Sequence, residues 1–445
     1  MVQARSLLSN SLTSLASSGL LIFSTILVPA LLVRTISRSD YNLLMSALAV
    51  LMLLGVISSS TRGVAPSQLV LAYARTNKWL ATRAYIQFIL IVILGTSALS
   101  LVGSEIFIWM QTSRSEIPLF RFGLYCIVIH ALGLIAMGVF AGPAAAQRDF
   151  LPDNFAKLWP GFFHLLGIGM VWVIAPSEPL VWIFAVYLTS SWAGTAILAL
   201  WLRRALLGDP CEDDAKTRRD LKSTFWSGLC GMAWWNLMSY LAVNAATLLV
   251  LFLHPADIVP FGIAVSLLGV TSAGLIAVAS PITGYAAGLH DRPIEERRRF
   301  FLVVNSLFQL YVAATSMFIL LLPQEVFILW LTEALSLQVR EFCLLLLPAY
   351  ALRQMTISFS IFVMSVGRQQ QVWLTPLIEA ILAIGGGVAL GVVIGVKGIA
   401  VALTISSLVR LLMTALYDER RQAAAIGIGR GDVLWSLFTL VKLRQ

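Results

Sequence analysis

Nine stretches of this chain run for at least 20 residues without a single Asp, Glu, Lys or Arg. They are bounded by Arg5 and Arg34, Asp40 and Arg62, Arg83 and Glu105, Arg121 and Arg148, Lys157 and Glu178, Glu178 and Arg203, Lys222 and Asp257, Asp257 and Asp291, and Arg299 and Glu325. About 20 apolar residues suffice to cross the hydrocarbon core of a bilayer, where backbone polar groups must be satisfied within the segment, so each stretch reads as a transmembrane helix. Three further apolar runs carry one charge each: Arg353 between Glu341 and Arg368, Glu379 between Arg368 and Lys397, and Arg410 between Lys397 and Asp418. The expectation is an all-α polytopic membrane protein with 12 transmembrane helices, spans 1 to 12. Composition agrees, since 59% hydrophobic and 12% charged residues leave too little polar surface to cover a soluble particle of 445 residues. Soluble enzymes and nucleic-acid binders are excluded on that ground. The net charge of +9 is therefore read by its placement along the chain.

With 12 spans and the N-terminus inside, 22 of the 31 Lys and Arg fall on the cytoplasmic side. Six fall outside (Arg34, Arg38, Arg114, Arg121, Arg340, Lys397) and three, Arg62, Arg353 and Arg410, within spans. An odd span count would invert the asymmetry, so both termini are expected in the cytoplasm. The first run is too long for a signal peptide and lacks a clear small-residue cleavage site before Arg34, so it is kept as span 1. Near the end, Asp432, Ser436, Thr439 and Lys442 recur at helical spacing among apolar residues. That pattern predicts a short amphipathic helix on the inner leaflet.

The longest polar connection, from Arg203 to Lys222, separates spans 1–6 from spans 7–12. Weak internal matches support a repeat: LLGVISSSTRGVA from Leu53 shares seven of 13 positions with LLGVTSAGLIAVA from Leu267, and Ala131, Leu132 and Arg148 match Ala351, Leu352 and Arg368 at an offset of 220. The expected organisation is two pseudo-symmetric six-helix lobes. These are an N-lobe over 1–207, a cytoplasmic linker over 208–223, a C-lobe over 224–420 and a cytoplasmic tail over 421–445. Even helix counts make the repeat parallel, an arrangement suited to a transporter that alternates access to a central cavity. A membrane anchor or scaffold is the plainer alternative.

Spans 7 and 8 with their short connection (WWNLMSYLAVNAATLLVLFLHPADIVPFGIAVSLLGVTSAGLIAVASPITGYAAGLHD), the segment LGLIAMGVFAGPAAAQRDFLPDNFAKL, and VIGVKGIAVALTISSLVRLLMTALYDER resemble the Wzx-type polysaccharide flippases of the multidrug/oligosaccharidyl-lipid/polysaccharide exporter superfamily. The resemblance is one of texture and spacing over nearly the whole chain. It implies a bundle that moves undecaprenyl-diphosphate-linked oligosaccharide from the inner to the outer leaflet of a bacterial inner membrane, for O-antigen or exopolysaccharide. The expected partners are then the lipid-linked substrate, the bilayer, a polysaccharide polymerase and chain-length machinery. The alternative within the superfamily is a cation-coupled multidrug antiporter, whose usual carboxylate in helix 1 or 7 has no counterpart in these two runs. No GxxxxGK[ST] loop occurs and His130, His164, His254 and His290 stand apart in sequence, so no catalytic residue, cofactor or metal is expected.

Ionisable residues inside a span cost roughly 2.5–3.5 kcal/mol on insertion scales, and so are expected to pair or to face water. Arg353, twelve residues from Glu341 and fifteen from Arg368, falls near the midplane. Glu379 and Arg410 share a depth on adjacent spans and are expected to pair. Two arginines and one glutamate leave a surplus positive charge, and guanidinium forks match phosphate oxygens. Arg353 therefore reads either as a ligand for a diphosphate headgroup or as a structural partner of Glu379. Arg62 reads as an interfacial snorkel or as a gate for the diphosphate. Asn236, Tyr240 and Asn244 on span 7 and Asn305, Gln309 and Tyr311 on span 9 are candidates to line a sugar-sized cavity, with helix-to-helix contact as the alternative. Gly387, Gly391 and Gly395, spaced by four, predict a close helix contact on span 11.

Overall fold

The computed structural model describes residues 2–49, 69, 72–73, 76–110, 118–147, 151–206, 215–289, 292–366, 368 and 371–442, and most of these are helical with no strand among them. Eleven helices among them are long and apolar enough to cross a membrane. The remaining expected span is helical over 38–49, and its continuation, with Arg62 and the LLGVISSSTRGVA segment, lies outside the described residues.

In chain order the helices are α1 (Val2–Thr35), α2 (38–49), α3 (Lys78–Met110), α4 (Pro118–Ala146), α5 (Leu151–Ile174), α6 (Pro179–Leu206), α7 (Ala215–Leu253), α8 (Ile258–Gly288) and α9 (Ile294–Leu321). A short helix, Gln324–Trp330, precedes α10, which is broken into Glu333–Gln354 and Ile357–Ser365. Next come α11 (Leu374–Ile394), α12 (Val396–Met413, continuing to Ile426) and α13 (Asp432–Lys442). Large apolar side chains such as Leu94 and Val393 are 70% and 80% exposed, the surface a lipid solvent requires.

Contacts divide the chain into two units, Leu12–Asn236 and Leu237–Gln445 with Met1–Ser11. The boundary falls inside α7, because that helix starts at Ala215 and absorbs the charged residues from Lys216 to Lys222 into its first turns. Its early residues Leu221 and Phe225 pack with Tyr85 and Phe88 of α3 and Ile135 and Val139 of α4. Its later residues Met238 and Ala242 pack on Ala380 of α11.

Three consecutive helices of the C-terminal unit, α10 to α12, depart from regular α geometry. α10 breaks at Met355–Thr356, α11 contains a π turn at Leu382–Gly386, and α12 another at Thr414–Asp418. Such turns inside helices frequently accompany functional sites. The glycines of α11 serve two purposes. A Cβ on Gly387 or Gly391 would meet Leu249 or Ile399 at 2.5 and 2.9 Å, so these two permit close packing. Gly395, at φ 74° and ψ −155°, makes the connection to α12 in a backbone conformation open to glycine.

The predicted tail helix forms, but the first half of its polar stripe, Asp432 and Ser436, turns inward. Arg298 of α9 donates from Nε and Nη2 to Oδ2 and Oδ1 of the fully buried Asp432, over 2.8 and 3.0 Å. Asn305 Nδ2 donates to the Asp432 and Val433 carbonyls at 3.2 and 2.9 Å, and Gln309 Nε2 to the Val433 carbonyl at 2.8 Å. Ser436 Oγ donates to Gln309 Oε1 at 3.0 Å, and the Val433 N–H donates to Glu419 Oε1 at 3.1 Å. Trp435 is left 59% exposed. The spacing of polar residues foretold the helix. The polar partners waiting on α9 decided which face docks.

Candidate functional site: a buried arginine–glutamate–arginine cluster

The helix irregularities surround one cluster of charge in the C-terminal unit. Glu379, on α11 three residues before the π turn, is completely buried. Its Oε2 accepts from Arg410 Nη1 of α12 at 2.5 Å, and its Oε1 accepts from Arg353 Nη1 of α10. Each arginine thus holds one carboxylate oxygen. Arg353 Nη2 donates to the Ser239 carbonyl of α7 at 2.6 Å. Arg410 Nε donates to Thr356 Oγ1 at 3.1 Å, and its Nη1 lies 3.5 Å from Ser239 Oγ. Thr356, at the break in α10, donates in turn to the Arg353 carbonyl at 2.8 Å. The break therefore supplies an acceptor for Arg410 and sets the position of Arg353.

Exposure is graded across the cluster. The side chain of Glu379 is 0% exposed, that of Arg410 7% and that of Arg353 19%. Arginine keeps its charge under such burial, so the cluster carries one net positive charge, and Arg353 is its most exposed member. Its two bonds use one N–H on each terminal nitrogen of a five-donor fork.

The other expected site residues are distributed differently. Gln309 is committed to α13, as is Asn305, whose Oδ1 also accepts from Ser358 Oγ. Their amides hold the tail, not a cavity wall. Tyr311 packs its hydroxyl against Gly274 of α8. Asn244 Nδ2 donates back to the Tyr240 carbonyl at 3.0 Å, and both residues are half-buried on α7, five residues and one residue past Ser239. Asn236 is buried and belongs to the N-terminal unit. Arg62 lies outside the described residues.

Three contributors escaped the sequence reading: Ser239 and Thr356, which bond the arginines, and Asp418, which accepts a 2.5 Å hydrogen bond from Thr375. Asp418 stood in the sequence as the charge ending span 12. Its burial, at 2% exposure, follows from the continuation of α12 past it.

Two of the histidines that stand apart in sequence come together in the fold. His130 of α4 and His164 of α5 converge on Ser190 of α6, with ring nitrogens 3.2 and 2.9 Å from its hydroxyl, which in turn donates to the Tyr187 carbonyl at 3.0 Å. One hydroxyl with two acceptor sites satisfies both rings as donors. Among the described residues no group of three or more His, Cys, Asp or Glu could hold a metal ion.

No protein-family model and no curated protein matches the chain. Solved structures do. The chain is similar to a MATE transporter in complex with MaL6, with a TM-score of 0.75 at 12% identity over 95% of this chain and 97% of that one. The inward-facing conformation of a multidrug resistance MATE family transporter of the MOP superfamily gives 0.70 at 12% identity, over 94% and 99%. A MOP superfamily transporter from Pyrococcus furiosus, described as having a binding pocket of reversed polarity that suggests a different function, gives 0.68 at 12% identity, over 100% and 97%. The chain has the two-lobed fold of these multi-pass transporters, and its solved neighbours are transporters, not enzymes.

Proposed function

We propose that this protein is an exporter that moves undecaprenyl-diphosphate-linked oligosaccharide between the leaflets of a bacterial inner membrane by alternating access, for surface polysaccharide. The observation that carries the reading is the net positive charge held by Arg353, Arg410 and Glu379. A buried ion pair costs free energy to desolvate, and a second arginine on the same carboxylate adds to that cost, so an anionic ligand accounts for the excess better than packing does. Arg353 offers the donors: a guanidinium fork suits a diphosphate bidentately and keeps its charge at membrane depth. Arg410 and Glu379 hold the fork in place.

A second reading, cation-coupled multidrug antiport, is favoured by the solved neighbours, two of which are described as multidrug resistance MATE family transporters. At 12% identity they speak to the fold, and the fold hosts more than one function. Against this reading, the apolar runs of α1 and α7 carry no Asp or Glu. Deleting the gene separates the two. Glycan export predicts loss of surface polysaccharide with lipid-linked precursor trapped on the cytoplasmic face, whereas unchanged glycan with raised drug sensitivity would establish the antiporter.

A further inference from the structure

Asp418 is the acid that the cluster leaves over. It closes the π turn Thr414–Asp418, eight residues past Arg410, and is 2% exposed. Its Oδ2 accepts from Thr375 Oγ1 at 2.5 Å, and Thr375 stands one helical turn before Glu379 on α11. The two helices are thus joined by two adjacent polar links, Glu379 to Arg410 and Thr375 to Asp418. Oδ1 of Asp418 is buried with no hydrogen-bond partner, and so is Oε1 of the fully buried Gln422, four residues along.

The surrounding charges are committed elsewhere. Arg410 and Arg421 act on Asp418 electrostatically, but Arg410 bonds Glu379 and Thr356, while Arg421 bonds the Gln371 carbonyl and the Tyr417 hydroxyl. Glu419 accepts from the start of α13, and Asp432 is held by Arg298. Arg353 bonds Glu379 and the Ser239 carbonyl. An ionised carboxylate here would have one hydroxyl in exchange for its water, an expensive arrangement. A proton on Oδ1 removes the charge and turns an orphaned acceptor into a donor.

We infer that Asp418 is a proton site coupled to the arginine cluster: the deprotonated acid offsets the surplus positive charge, and the protonated acid leaves that charge available to a phosphate anion. One proton and one anion then bind together, with no covalent step. Reciprocity requires that whatever the proton does for the anion, the anion does for the proton. This rests on the reading of the cluster as a phosphate ligand, and the experiment keeps the two apart.

The full-length protein in detergent is titrated with P1,P2-dibutyl diphosphate, a diester that keeps both charges between pH 5 and 8. The expected result is tighter binding as pH falls, approaching about tenfold per pH unit where one proton accompanies each anion. The chain should also take up close to one proton per anion when the probe is added to unbuffered wild-type protein at pH 7. Asp418→Asn should bind at every pH with the affinity wild type reaches at low pH. An unchanged pH slope in Asp418→Asn overturns the proton site while leaving the cluster as a phosphate ligand. Binding without proton uptake by the wild type overturns it too, without reliance on a variant. Failure of the wild type to bind the probe at any pH removes the phosphate reading, and this inference with it.

Discussion

Arg410 and Glu379, on adjacent helices, meet at 2.5 Å with the carboxylate fully buried, and Glu379 still has its second oxygen for Arg353. The order of dependence follows from that sharing. Removing Arg353 leaves a neutral pair, whereas removing Glu379 leaves two buried cations facing one another.

Glu379→Gln should therefore harm the protein more than Arg353→Gln. Breaking a buried pair so that like charges remain costs roughly 3–5 kcal/mol. Thermal unfolding in detergent and the amount of inserted protein check this: a large loss for Glu379→Gln and a small one for Arg353→Gln are expected. Equal losses would mean that Arg353 matters to the fold as much as Glu379 does.

The tail helix depends on Arg298. Arg298→Ala leaves the Asp432 carboxylate buried without its cation, an expected cost of about 1–3 kcal/mol concentrated on the docking of α13. Hydrogen exchange over 419–442 should accelerate while exchange in α4 and α6 is unchanged. Arg298→Ala combined with Asp432→Asn should recover part of the protection.

Topology follows from the distribution of Lys and Arg. Reporter fusions after Lys222, Arg299 and Gln445 should read cytoplasm, and fusions near Gln111 and Pro255 the outside. A periplasmic signal after Lys222 would contradict the even count of spans that precede it.

Much of this architecture is legible in the chain because lipid as solvent leaves few options: an uncharged run of 20 residues becomes a spanning helix. The depth argument for Glu379 and Arg410 worked for a related reason, since ions at matching depth on neighbouring helices have few other partners. What stayed hidden was set by tertiary packing. The side chains of Gln309 and Asn305 look like cavity lining, yet the buried Asp432 and Val433 carbonyls in the first turn of α13, just before its kink at Trp435, accept from them. His130 and His164, 34 residues apart in sequence, meet only because Ser190 packs between their helices. Ser239 contributes through its backbone carbonyl, which side-chain type does not report. The breaks at Met355–Thr356 and in the two π turns carry no Pro or Gly pair that would single out all three; of these turns only Leu382–Gly386 contains glycines.

The central claim is that Arg353 contacts the anionic headgroup, and glycan export by Arg353 variants at matched protein level tests it most directly. Arg353→Gln should insert, fold and lose export by at least tenfold, and Arg353→Lys should recover only part, because lysine keeps the charge without the planar fork. Export by Arg353→Gln at wild-type levels would contradict the account.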